Sequence, residues 1–142
     1  MKYTINAIPP SNNKFKGRQN HWEYRELKKQ WETLVKCVCN PKPPKPLENV
    51  VVLIKYYFPT KIRHDPDNYS GVFILDGLVK AGILKDDSFD CISLVLDADC
   101  DRNNPRTEIY IVEGTEEIAY FFALNKEYSK NKDIKQMYKG KK

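Results

Sequence analysis

Five aspartates crowd the stretch RHDPDNYSGVFILDGLVKAGILKDDS, Arg63 to Ser88: Asp65, Asp67, Asp76, Asp86 and Asp87. Asp65 and Asp67 flank Pro66, which holds the residue before it extended, and residues two apart on an extended chain point to the same side. Two carboxylates then converge on one volume, where their repulsion calls for a cation or for hydrogen-bond donors. A hard divalent ion that takes one or two carboxylates and keeps several waters meets that demand, which is magnesium chemistry. Asp67 or Asn68 is also placed to cap the helix that follows. Asp86 and Asp87 come after that helix and its terminal Gly82. Six residues of extended chain cover roughly 20 Å, about the helix's own length, so the chain can just return to bring a third carboxylate to the pair. If it does not return, Asp87 is available to a neighbouring subunit. Asp76 falls among Val72, Leu75 and Val79, on or beside the buried face. A carboxylate there must be paired or hydrogen-bonded, which makes it a brace for the site or for the fold. Taken singly, D-P-D-N also serves as capping language and D-D-S as turn language.

The elements that must position these groups follow from periodicity. Residues 2–8 form a short strand stopped by Pro9-Pro10, and PPSNNKFKGRQN is a polar loop. A helix starts at Asn20 with Glu23 as capping-box partner. Leu27, Trp31, Leu34, Val35 and Val38 make its buried face, and NPKPPKP stops it near Asn40. Residues 49–58 are rich in Val, Ile, Tyr and Phe, a strand signal. Tyr69 to Ala81 is the short helix, capped by Gly82. Residues 90–97 and 107–112 alternate as two further strands, joined by DADCDRNNPR as a long hairpin. Thr115 caps a last helix with Glu116 and Glu117 in its first turn. The order β-α-β-α-β-β-α predicts an α+β two-layer sandwich with a mixed sheet. Asp97, Asp99, Asp101 and Glu108 mimic a calcium-loop spacing, but Arg102 stands where that loop needs glycine and the flanks are strands.

Composition narrows the class. A chain of 142 residues suits one domain with a real core. No stretch resembles a signal peptide, and VVVLI at Val50 to Ile54 is far too short to span a bilayer, so a cytoplasmic protein without membrane attachment is expected. The net charge is +5. The segment from Lys126 to Lys142 accounts for all of it, with seven lysines against Glu127 and Asp133. This divides the chain into a domain at 1–125 and a basic tail at 126–142, either a solvated terminus or a source of sequence-independent affinity for phosphates. Cys37, Cys39, Cys91 and Cys100 form no C-x-x-C pair and read as buried free thiols rather than a zinc site.

The set PPSNN at Pro9 to Asn13, DPDN at Asp65 to Asn68, LDGLVKAGIL at Leu75 to Leu84 and DDS at Asp86 to Ser88 is more specific than any member. It resembles the RusA family of Holliday-junction resolvases over about residues 1–112. The resemblance implies a homodimeric endodeoxyribonuclease that resolves four-way junction DNA by paired symmetric nicks in recombination and repair, using Mg2+, with Mn2+ able to substitute. It implies that Asp65 and Asp67 are the metal-binding pair and Asp87 the third catalytic acid, with Asp86 beside it. Asn12 and Asn13 of the PPSNN loop then help to shape the DNA-facing surface. Family members carry a lysine early in the short helix, and here Val72, or Gly71 by the other alignment, takes its place. Such a lysine neutralises charge growing on the scissile phosphate. Lys80 is too far along the helix, whereas Lys61, Arg63 and Lys85 flank the acidic cluster as candidate phosphate contacts. The departure opens an alternative, a catalytically impaired homologue that binds branched DNA. A single-stranded DNA binder that stacks bases on Tyr56, Tyr57 and Phe58 is a weaker reading, because strand aromatics usually build cores.

Overall fold

Val50–Phe58 (β2) is an unbroken run of β-branched, aliphatic and aromatic residues around Lys55, buried on both faces through Ile54. That pattern belongs to a strand inside a sheet rather than at its edge. The computed structural model describes residues 1–15 and 21–114. Among them β2 is joined by β1 (Lys2–Ile5), β3 (Ile92–Cys100) and β4 (Arg106–Val112) in the order β1-β4-β2-β3. The helices are α1 (His21–Val38) and α2 (Val72–Lys80). Residues Met1–Ile111 make one compact unit, and of the second, which begins at Val112, residues 112–114 are described. Asn20, the helix expected from Thr115 and the basic tail lie outside the described residues.

The sheet is mixed, as expected, but its wiring is not. β1 pairs antiparallel with β4, Tyr3 opposite Ile109, while β2 and β3 run parallel from Val50 opposite Ile92 to Phe58 opposite Cys100. The expected β3–β4 hairpin therefore does not form, because β4 passes β2 and inserts between it and β1. The crossing, Asp101 to Pro105, is tightly pinned. Asp101 N donates to Phe58 O at 2.9 Å, and its carboxylate accepts Asn103 N, Asn104 N and the Arg106 guanidinium. β1 stops at Ile5 rather than 8, and the Thr107 hydroxyl holds the departing chain through Ala7 O at 2.7 Å.

One sheet face carries the core. Tyr3, Ile5, Val52, Ile54, Ile109 and Ile111 meet Trp31 and Val35 of α1 and Phe73, Ile74, Leu75 and Leu78 of α2. Each such side chain contributes about 1.5–3 kcal/mol by leaving water. Leu27 and Leu34 pack against this core as the helical spacing requires. Val38 departs from it at 40% exposure, since the helix ends there and Cys39 turns inward instead. The two helices touch closely at Gly77, where an added Cβ would lie 2.8 Å from Val35 Cβ. Ion pairs Lys28–Asp76 at 2.9 Å and Lys80–Glu32 at 3.0 Å flank that contact. No helix among the described residues is long and apolar enough to cross a membrane.

The other sheet face buries Val51 and Leu53 and also carries a polar cluster. The Arg106 guanidinium lies 3.7 Å from the Tyr57 ring centre and bonds Glu108, which also receives Lys2 and the Tyr110 hydroxyl. Burial pushes the Glu108 carboxyl up, but its donors Tyr110, Arg106 and Lys2 outweigh that and hold it at about 2. Glu108 and Asp101 are thus spent on arginine, which leaves nothing of the calcium-loop spacing. Cys39 and Cys91 are buried free thiols, whereas Cys37 is exposed; burial raises the Cys39 thiol to about 11.

Candidate active site

The short helix begins later than its apolar pattern suggests, at Val72 instead of Tyr69. Gly71 causes the delay. Its φ of +83° lies in the left-handed region, which costs an L side chain but not glycine. Its carbonyl accepts Ile74 N and Leu75 N, so the backbone alone caps α2. Asp67 and Asn68 therefore do not cap that helix. They lie in a separate 3-10 turn, Pro66–Asn68, whose bonds run from Asn68 N to Asp65 O and from Tyr69 N to Pro66 O.

Asp65 is extended, as the residue before proline should be, with φ −102° and ψ 137°. Asp67 sits inside the 3-10 turn, so the simple alternation of an extended chain does not relate the two carboxylates. They share a tight exposed loop instead. Arg63 Nε donates to Asp65 Oδ1 at 3.0 Å from a side chain that is 88% exposed, a link too solvated to be strong. Lys61 is exposed on the same loop. Asn12 Nδ2 donates to Ser70 Oγ at 2.9 Å and reaches Asp67 O at 3.5 Å. Asn12 thus ties the N-terminal loop to the aspartate loop, while Asn13 is exposed. The Asn68 Oδ1 atom is buried without a hydrogen-bond partner among the described residues.

Beneath the loop lies an aromatic cluster that sequence reading missed. The His64 and Phe58 rings stack at 3.6 Å and 3°, and Tyr69 meets both edge-on at 74°. Tyr56 packs against Phe58 and Tyr69. With Leu96, Asp97 and Ala98 of β3, these rings and Asp65 line an open cavity. The Asp97 carboxylate does not face this cavity, because parallel pairing sets Asp97 opposite Lys55, 3.5 Å away, on the face of the sheet away from Tyr56 and Phe58.

The remaining candidates lie elsewhere. Leu84 bridges Leu47, and Lys85 N donates to Leu47 O, which anchors the DDS loop at the start of β2. β3 then runs five residues from Ile92 to Asp97, about 17 Å, before reaching the cavity. Asp86 and Asp87 are exposed, and the Asp86 carboxylate accepts Asp87 N. Within one subunit the chain does not return them to the pair, and no three metal-competent residues gather among the described ones. Lys85 is bound to Glu48 at 2.6 Å at that same far end. Asp76 is paired with Lys28 and so braces α2 against α1.

The loop offers the Asp65 and Asp67 carboxylates, hard oxygen donors of the kind that suit a small hydrated cation such as Mg2+, with the His64 imidazole next to Asp65 in the chain. Lys61 and Arg63 stand on the same loop and add positive charge near the carboxylates. The chain belongs to the RusA family, since the family model for endodeoxyribonuclease RusA matches residues 5–112, most of its length. That family is one of endodeoxyribonucleases of the junction-resolvase type. No curated protein matches the chain.

Proposed function

We propose that the protein resolves four-way DNA junctions as a Mg2+-dependent homodimer, with each active site shared between subunits. Asp65 and Asp67 of one subunit hold the metal, and Asp87 of its partner completes the ligand set. The observation that carries this reading is the location of the DDS loop. Its carboxylates are exposed but anchored at the far end of β2 from the pair. The bound metal supplies an activated water and stabilises the leaving 3′ oxygen. Lys61 and Arg63 hold the phosphate, Arg63 exchanging its solvated bond to Asp65 for the substrate. Asn12 and Ser70 keep the aspartate loop in place. Twofold symmetry sets two such sites on opposing strands of a junction, which favours paired nicks.

Mixing two inactive proteins tests this arrangement. A mixed dimer of Asp65→Asn and Asp87→Asn subunits carries both lesions in one shared site and none in the other. Separately inert variants should together nick one strand of an end-labelled junction, in the roughly half of dimers that are mixed. Sites contained within single subunits would give no recovery, and retained cutting by Asp65→Asn alone would remove the pair from the mechanism.

The alternative, a branched-DNA binder without cutting activity, draws support from Gly71. A side chain there would point at Ile54 in the core rather than at a phosphate. Nicking with and without Mg2+, beside a linear duplex of the same sequence, separates the two readings. A gain in nicking on Val72→Lys would mark a degenerate site.

A further inference from the structure

Metal binding leaves two features unexplained. The first is the open cavity beside Asp65, about 150 Å³ in volume and walled by Tyr56, Phe58, His64, Tyr69 and Leu96. Its lining is largely apolar, since the Tyr56 hydroxyl is sealed within the wall and Asp97 turns its carboxylate to Lys55 on the other face of the sheet. An apolar cavity of about 150 Å³ accepts one benzene-sized ring. The second feature is Phe89, whose ring is fully exposed. A lone exposed apolar residue is ordinary, but Phe89 stands two residues after Asp87, on the loop that the proposed function sends to a partner subunit. Two residues of chain span at most about 7 Å. Asp65 is both a proposed metal ligand and part of the cavity wall, so a partner's Asp87 at the metal brings its Phe89 within reach of the cavity.

We propose that the cavity receives the Phe89 ring of a second copy of this chain, so that two reciprocal ring-in-cavity contacts hold the dimer together beside its metal sites. The inference rests on the shared-site reading proposed above and adds to it the surface that makes sharing possible. A subunit cannot fill its own cavity. Phe89 precedes β3, whereas the cavity meets β3 at Leu96 and Ala98, at least about 13 Å further along the strand. A copy turned by a twofold axis presents its Phe89 where the first has its cavity, and the contact then repeats with the roles exchanged. The cavity walls suit a third ring, because the stacked His64–Phe58 pair and the edge-on Tyr69 leave faces and edges for aromatic packing. Charge favours the same approach. Asp86 and Asp90 flank Phe89, and Lys61 and Arg63 are exposed on the loop that carries Asp65. Phe89 is then an anchor of the kind that dominates interface energy, one aromatic ring seated in a preformed pocket.

The test is the dissociation constant of the dimer, measured by dilution of fluorescently labelled protein with Mg2+ and without DNA. Phe89→Ala should raise it at least roughly a hundredfold, because each dimer loses two buried rings. The circular dichroism spectrum should stay that of the wild type, since the ring is fully exposed in its own subunit. Ala98→Phe fills the cavity from within the same subunit and should weaken the dimer in the same way. Mixed together, the two variants should associate more tightly with each other than either does with itself. Their mixed dimer keeps one wild-type contact and gathers both lesions into the other. A wild-type dimer whose constant is indifferent to Phe89→Ala overturns the docking and leaves the shared site standing. A mixed pair no tighter than the two variants alone, both folded, also overturns it. A wild type that stays monomeric overturns the shared-site reading and the docking with it.

Discussion

Replacing Gly71 by alanine should be among the costliest single-methyl changes in this protein, and its cost should depend on Ile54. Two penalties combine at this position. The φ of +83° charges any L side chain about 1–2 kcal/mol. The new Cβ would also lie 2.6 Å from Ile54 Cδ1, and Ile54 is fully buried, so relieving the overlap means repacking core at about 1–3 kcal/mol. Gly71→Ala should therefore lose about 3 kcal/mol, or about 12–18 °C in melting temperature for a unit of this size. Ile54→Val removes the clashing methyl and alone should cost about 0.5–1.5 kcal/mol. In that background the alanine should cost only the conformational part, which gives a favourable coupling of about 1–2 kcal/mol. Urea unfolding of the four proteins, followed by fluorescence that includes the buried Trp31, measures every corner of the cycle. Equal costs in both backgrounds, or a total below about 1 kcal/mol, would refute the steric argument. A lysine restored at this position would then become tolerable, and its absence would need another cause.

Asn12→Ala should raise the Mg2+ concentration needed for cutting several-fold while shifting the melting temperature by only a few degrees, because the lost bond to Ser70 is worth about 1 kcal/mol; a metal titration of nicking checks it. Gly77→Ala should destabilise by about 1–3 kcal/mol despite better helix propensity, since the new methyl meets Val35 Cβ at 2.8 Å; urea midpoints decide, and a stabilised variant would contradict the helix contact. Glu108 is held at about 2 against an ordinary 4.5. Its contribution is therefore complete above about pH 4.5 and fades as pH falls through 2. With solvent screening it is worth about 1–2 kcal/mol. The stability gap between wild type and Glu108→Gln should be open at pH 7 and nearly closed at pH 2, as denaturant midpoints at the two pH values will show.

Local pattern made much of this protein legible. The Val50–Phe58 run, the spacing of Trp31 and Val35, and the apolar stretch from Val72 ended by Gly82 each carry their own structural signal. Strand pairing carries no such signal. Ile92, Leu94 and Leu96 alternate as a strand should, yet nothing local says that their neighbour is β2, parallel, rather than β4 across a hairpin. Leu94 is 39% exposed because β3 is an edge among the described strands, a fact about neighbours and not about residues. The candidate site divides in the same way. Asp65 and Asp67 are adjacent in sequence and could be found there. His64 and Tyr69 meet Phe58 only through the fold, and Asp87 is separated from the pair by the length of half a sheet. The late start of α2 turned on one glycine whose backbone angle the apolar periodicity overrode.

The insertion of β4 between β1 and β2 has a consequence for how the chain can fold. β1 has its only described ladder with β4, and the Met1 amino group and carbonyl bond to Ile111. The beginning of the domain therefore has no sheet to join until its end is available, and closing a loop of about a hundred residues is a cost borne before any reward. A fragment stopping short of Arg106 would leave β2 open on one side and β1 without a partner. The helices and the parallel β2–β3 pair could gather first, but the sheet closes in a single late step. Partial products of this domain should consequently be sticky rather than partly functional.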